Sequence, residues 1–405
     1  MKMFLAMMLM LCMTLSVFAF ASADEVALRL WVGDSQDSEW IDAVIENFKA
    51  ANPDKTYNFT INNVNEPDVS KQLRADPSSG ADVFVFPDDQ FNDLHRDGIL
   101  AQVMKNADAI IEANGGAESK TVQAAMADGK LFAYPLNASN GYFMFYNKEY
   151  FTKEDVESLD VMMDKAAAAG KLVGYPMSNG WFNYSFFRGA GLEMKLGEDD
   201  KTNVCNWNAT DTEITGVQVL EAMLAIASNK GFKNADSEPF VAGVKDGSII
   251  AGVSGTWNAK VAEATWGENY AATKLPAYTV AGKQVQMASF AGYKMVGVNA
   301  YSEMAGDAMD FAEFMSNEQS QELRFQIRGD GPSNVKVAAS EAVQSSPAVT
   351  ALLAQSPYAD VQRVGSKYWD PAATLGGIIV DGNSNNEDLQ KLLDVTVEGI
   401  TAVAD

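Results

Sequence analysis

Three tryptophans stand beside polar residues in stretches that do not read as ordinary core. Trp181 lies in Ser178-Asn179-Gly180-Trp181-Phe182-Asn183-Tyr184, Trp257 follows Gly255-Thr256, and Trp369 sits in Tyr368-Trp369-Asp370-Pro371. A pyranose ring has an apolar C–H face and a rim of hydroxyls. It suits a flat ring to stack on, and carboxylates or amides that accept hydrogen bonds in its plane. Each tryptophan alone reads better as a structural residue. Three of them beside polar loops tilt the set towards a sugar platform.

Most enzyme chemistry lacks its residues. The single histidine, His95, shares a helix-like stretch with Asp93, Arg96 and Asp97 and reads as a solvated helical residue. Outside the N-terminal leader the one cysteine is Cys205, so no His/Cys metal site can be assembled and no intramolecular disulfide can form. No G-x-S-x-G elbow and no phosphate-cradling glycine loop follows a strand. A glycoside hydrolase survives this screen, because it needs only two carboxylates. A polyamine or metal-ion binder is the other alternative, but three rings with amides suit a pyranose better. The expectation is a binding protein: not an enzyme, with no cofactor and no metal.

The elements around these residues alternate between strand and helix. Val26–Val32 reads as a strand, the apolar spacing from Trp40 to Phe48 predicts a helix ended by Asn52-Pro53, and Tyr57, Phe59 and Ile61 alternate as in a half-buried strand. Asp82–Phe86 is a short apolar strand and Pro87-Asp88-Asp89 a loop. Such alternation implies a mostly parallel sheet flanked by helices, which binds ligands beyond the carboxyl ends of its strands. Asp34 and Asp88-Asp89 fall at that edge. Further strands are expected near Tyr134–Leu136 and Gly141–Tyr146, with the polar stretch Asn137–Asn140 between them as a crossing. A capping box is read at Thr152–Asp155 and a helix from Val217 to Ala227. Strands at Ser248–Val253 and Tyr293–Val298 follow, then helices at Glu303–Met315, Glu318–Ile327 and roughly Asn386–Val403.

Composition sets the class. Lys2 followed by an apolar run from Met3 to Phe20 and then Ala21-Ser22-Ala23 has the form of an export leader, residues 1–23, cut after Ala23. Cys12 follows Met10-Leu11 rather than small residues, which argues against a lipid anchor. The chain is therefore expected outside the cytoplasmic membrane, periplasmic or on the cell's outer face. A net charge of −24 over 405 residues repels nucleic acid and anionic lipid. The remaining length exceeds what one core usually supports, so two lobes are expected.

Several motifs, in order, resemble one family. They are Leu30-Trp31-Val32-Gly33-Asp34, Gly80-Ala81-Asp82-Val83 with Asp89 and Phe91, and Gly129-Lys130-Leu131-Phe132-Ala133-Tyr134-Pro135. Tyr146-Asn147-Lys148-Glu149, Asp246-Gly247 leading to Gly255-Thr256-Trp257, Leu275-Pro276, Gly297-Val298-Asn299-Ala300 and Ala312-Glu313-Phe314 follow. The chain is similar to the extracellular solute-binding proteins of carbohydrate ABC importers, and among them to the maltose/maltodextrin-binding proteins. The resemblance implies a two-lobed α/β fold of the periplasmic-binding-protein type with the ligand in the interlobe cleft. It implies a first lobe of 24–137 plus 288–335 and a second of 138–287 plus 336–405. Asp34, Glu66 and Asp89 match hydroxyl-bonding carboxylates of the first lobe, and Trp181, Trp257 and Trp369 match ring-stacking residues of the second. Ser139-Asn140 lies where the family has an acidic residue, making Asn140 a candidate, and Tyr293 on the return crossing is another. Gln90 stands in place of a frequent arginine and Phe86 in place of a tryptophan. The implied partners are a maltodextrin-like oligosaccharide and the permease subunits of a membrane importer, met by a monomer.

Overall fold

The computed structural model describes residues 24–33, 37–199 and 201–403; the expected leader and Asp34 lie outside the described residues. The chain opens with strand β1 (Asp24–Val32), helix α1 (Ser38–Ala51) and strand β2 (Lys55–Asn63). α1 turns Trp40, Ile41, Val44, Ile45 and Phe48 inward, one stripe at three- and four-residue spacing. Strand β3 (Val83–Pro87) is buried at every position, as befits a short apolar run enclosed on both faces. Next come β4 (Tyr134–Gly141), β5 (Phe143–Asn147), β6 (Leu172–Gly174), α2 (Gly180–Gly189), β7 (Phe232–Lys233) and β8 (Ile249–Ser254). β9 (Tyr270–Thr273), β10 (Ser289–Val298), α3 (Glu318–Arg328), β11 (Ala359–Val361) and α4 (Trp369–Val380) complete the frame.

Two main sheets result. The first has the order β11-β10-β3-β1-β2, with β4 also paired to β10; the second has the order β7-β6-β8-β5-β9. β1 runs parallel to β2 and β3, whereas β10 runs antiparallel to β3 and β4. Each sheet has its own apolar core, one gathering Leu28, Phe48 and Phe311, the other Phe186, Met223 and Leu393. The chain crosses between them more than once. Only Tyr142 separates β4 of the first sheet from β5 of the second. β10 brings the chain back, and an isolated bridge joins Asn137 to Pro332 beside the first crossing. β11 pairs with Ser289–Ala291 of β10, so a short piece of the C-terminal segment also belongs to the first sheet.

The polar stretch Asn137–Asn140 is part of β4, its backbone pairing with β10 as far as Ala291–Gly141, with irregular register near Lys294. Three local expectations change. The segment from Ser178 to Tyr184 enters helix α2. Its polarity belongs to the N-cap, where Asn179 accepts from Trp181 N–H at 2.9 Å, and to Asn183, which donates to Ala372 O at 2.7 Å. His95 is half-buried rather than solvated, stacked 5.8 Å from Phe91 and edge-on to Phe132 at 4.4 Å. In β2 only Tyr57 is buried, and Ile61 is 37% exposed. β2 is the end strand of its sheet, so its far end has little to pack against.

Candidate functional site

The aromatic half of the site grows from two turns that follow strands of the second sheet. Trp257 sits on the single turn Thr256–Asn258 directly after β8, and Trp181 lies in the first turn of α2. Their rings are 5.8 Å apart at 37°. Trp181 also meets Tyr142, the residue between β4 and β5, edge-on at 4.7 Å. Gly255 makes the placement of Trp257 workable. A Cβ there would lie 1.9 Å from the indole, so any side chain displaces the ring. Trp369 opens α4 and packs edge-on against Phe290 at 6.2 Å and Tyr368 at 5.0 Å; its carbonyl lies beside Gly180. All three rings are partly buried, and the structure joins Trp181 to Trp257 in direct contact.

The polar half comes from the first sheet and the crossing strands. Asp88 and Asp89 form a single turn at the carboxyl end of β3. Asp88 is 2% exposed; its Oδ1 accepts from the Tyr293 backbone N–H at 3.1 Å, and its Oδ2 has no partner among the described residues. Burial pushes the Asp88 carboxyl up to about 7. Burial, and then the neighbouring Asp88, pushes Asp89 well above the usual carboxylate range, while Gln362 pulls it the other way. Gly292 on β10 is the point of convergence. A Cβ there would stand 3.0 Å from Asp88 Oδ1, 3.1 Å from Asn140 Nδ2 and 3.1 Å from Gln362 Oε1. Gln362 in turn accepts from Trp181 Nε1 at 2.7 Å, tying the carboxylate side to the aromatic side.

Glu66 stands on a turn of its own, and its carboxylate pairs with Lys294 of β10 at 2.9 Å. Lys294 Nζ also lies 5.7 Å from the centre of the Trp257 ring. Gln90 is structural: it donates to the Glu66 carbonyl at 2.7 Å and accepts from Ser70 N–H at 2.8 Å. Phe86 is fully buried beside Phe84. The Tyr293 ring packs on the first-sheet core while its backbone serves Asp88. A small cleft between the lobes runs from Asp89 and Asn92 on one wall to Lys201 and Arg363 on the other.

Behind the turn that carries Trp257 lies a buried charge cluster with four members among the described residues. Arg324 Nη1 donates to Asp37 at 2.9 Å and its Nη2 lies 3.0 Å from Asp330; Arg328 Nε is 3.3 Å from both carboxylates. None of the four residues is more than 5% exposed. Thr256 Oγ1 donates to Asp330 at 2.9 Å, which anchors the Trp257 turn. Burial pushes both carboxyls up, and the two arginines more than offset it, so both stay below the ordinary range.

The profile of a family described as bacterial extracellular solute-binding protein matches residues 43–351, well over half of the chain. The chain belongs to that family. It is 25% identical over 349 residues to the galactooligosaccharide-binding protein of Bacillus subtilis (strain 168), covering 81% of this chain and 78% of that one. A protein solved with acarbose superposes with a TM-score of 0.80 at 26% identity, over 93% of this chain and 99% of that one. The maltodextrin-binding protein of L. casei BL23, solved without ligand, has a TM-score of 0.74 at 24% identity, over 94% and 100% of the two chains. These likenesses confirm the two-lobed α/β fold.

Two residues of the site escaped the sequence reading. Lys294 carried a usable signal, a charge within the strand run Tyr293–Val298 that is otherwise uncharged. Gln362 carried none: Asp360-Val361-Gln362-Arg363 has the look of any surface segment, and only the pairing of β11 with β10 draws it inward. Cys205 is half-buried and unbridged, and burial pushes its thiol up to about 12. No group of three or more His, Cys, Asp or Glu residues suited to a metal occurs among the described residues.

Proposed function

We propose that this protein is the substrate-binding component of an ABC sugar importer, capturing a maltooligosaccharide by closure of its lobes and delivering it to a membrane permease. The observation that carries the reading is the contact pair Trp181–Trp257, linked to Glu66 through Lys294 and to Asp88 and Asp89 through Gln362. The lobes comprise 24–137 with 288–335 and 138–287 with 336–405, β11 reaching across. Ligand touching both lobes stabilises the closed form by its differential contacts. A micromolar dissociation constant is about −8 kcal/mol. Stacked rings and a few charge-assisted hydrogen bonds at about 1.5–3 kcal/mol each reach that value after the cost of association.

The ligand leaves unchanged. Asp88 and Asp89 are neighbours on one turn, whereas hydrolysis requires two carboxylates flanking one glycosidic bond. The ligands named for the relatives, a galactooligosaccharide and acarbose among them, support an oligosaccharide and give a second candidate, a galactooligosaccharide. Titration calorimetry with maltose through maltoheptaose, and with galactooligosaccharides in parallel, decides between them. Maltodextrin binding is the expected outcome. Binding of galactooligosaccharides alone would replace the sugar, and binding of neither would refute the reading.

A further inference from the structure

We propose that Lys294 is a specificity-determining residue that, with Glu66, reads a pair of neighbouring hydroxyls on the sugar ring carried by Trp257. The proposal rests on the sugar-binding reading above. Lys294 lies on β10, one of the strands that carry the chain between the sheets, and its side chain is 8% exposed. Burying an ammonium is costly unless it has a task or a partner. The next residues along the strand, Met295 and Val296, are fully buried and apolar, so packing alone does not call for a charge here.

The geometry supplies the task. Nζ is 2.9 Å from Glu66 Oε1 and 5.7 Å from the Trp257 ring centre. An ammonium only donates and an ionised carboxylate only accepts. Side by side, they match two adjacent hydroxyls, one accepting from Lys294 and the other donating to Glu66. A ring stacked on Trp257 brings its hydroxyl rim towards this pair. Both partners are held in place beforehand, Glu66 by Gln90 at its backbone and the Trp257 turn by Thr256 on Asp330. Such preorganisation favours affinity and selectivity. The pair is neutral overall, so it selects a neutral diol over a substituent bearing an amine or a carboxylate.

The experiment is calorimetry on wild type and Lys294→Met with maltotriose and with β-1,4-galactotriose, each alongside its monodeoxy derivatives. Wild-type binding of either trisaccharide establishes the sugar reading by itself; binding of neither overturns that reading and this one together. We expect Lys294→Met to weaken the parent trisaccharide by about 10- to 100-fold. At least one monodeoxy derivative should change by no more than about twofold, because the missing hydroxyl has already removed the same bond. Equal losses for the parent and every derivative would mean that Lys294 only supports the fold, and would overturn the proposal. Should Lys294→Met fail to fold, Lys294→Arg keeps the charge and alters its reach. It should reorder the affinities of the deoxy derivatives, and an unchanged order refutes the proposal.

Discussion

Replacing Asp88 by Asn should stabilise the ligand-free protein, and by an amount that depends on pH in a defined direction. In the unfolded chain the carboxyl titrates near 3.9. In the fold, burial moves it to about 7, with one oxygen held by the Tyr293 N–H and the other without a partner among the described residues. A raised carboxyl binds its proton more tightly in the folded state. Its contribution to stability is therefore complete below about pH 4, and it is lost progressively as pH rises from there through 7. At 1.36 kcal/mol per tenfold, the displacement from about 3.9 to about 7 sets a ceiling on the order of 4 kcal/mol above pH 7. Asp89 stands beside Asp88 and shares the local charge, so we expect about 1–3 kcal/mol in practice. Asn keeps the acceptor for Tyr293 N–H and carries no charge to bury.

The assay is thermal and urea unfolding of wild type and Asp88→Asn at pH 4.5 and at pH 8, without sugar. The variant should gain at pH 8, by about 2–4 °C per kcal/mol for domains of 150–250 residues, and gain little at pH 4.5, where the wild-type carboxyl is already protonated in the fold. The same gain at both values would show that the effect is steric. A loss at pH 8 would show that the charged form is stabilised in the fold, and would refute the electrostatic account of the site.

Other substitutions separate the two halves of the cleft. Gly255→Ala places a methyl 1.9 Å from the Trp257 ring, so overpacking should cost about 1–3 kcal/mol and sugar affinity should fall; unchanged affinity would show that the ring tolerates displacement. Trp181→Ala removes the neighbour of Trp257 and the donor to Gln362, and calorimetry should show at least about tenfold weaker binding of the cognate sugar. Asp330→Ala takes one buried carboxylate from Arg324 and Arg328, and denaturant unfolding should register a loss of about 3–5 kcal/mol. A cost below about 1 kcal/mol would mean that the cluster is more hydrated than its burial indicates.

The main strands and helices were legible because long apolar runs and helical spacing survive in one dimension: Val26–Val32, Trp40–Phe48 and Val217–Ala227 fall within their elements, and Ser248–Val253 matches its strand to within one residue. The edge of the first sheet was legible for the same reason, since Asp88 and Asp89 directly follow the apolar run of β3. What sequence did not show depends on pairing between distant segments. Asn137–Asn140 has the polarity of a crossing between lobes, but nothing in those residues announces that their backbone pairs with β10. Gln362 reaches the site only through three backbone pairs between β11 and β10, which no local pattern announces. The polar residues before Trp181 had a capping role that looked like a binding loop.

The charges buried at the crossings follow from what these segments have to do. Apolar attraction is non-directional, so an all-apolar joint would fix the relative position of Trp257 and Glu66 less sharply than bonded charges do. Hydrogen-bonded ion pairs lose much more for the same displacement, because a carboxylate moved away from its arginine is left uncompensated in a low dielectric. Asp37 and Asp330, shared between Arg324 and Arg328, fix the start of α1 and the segment after α3 against each other; Thr256 carries that fixity into the turn of the second lobe. Lys294 adds its positive charge to the same two carboxylates while reaching Glu66 on the cleft side. The polar framework thus runs from the buried cluster through Thr256 to the Trp257 turn, and from that ring through Lys294 to Glu66, so displacing any one of these groups strips a buried charge of a partner.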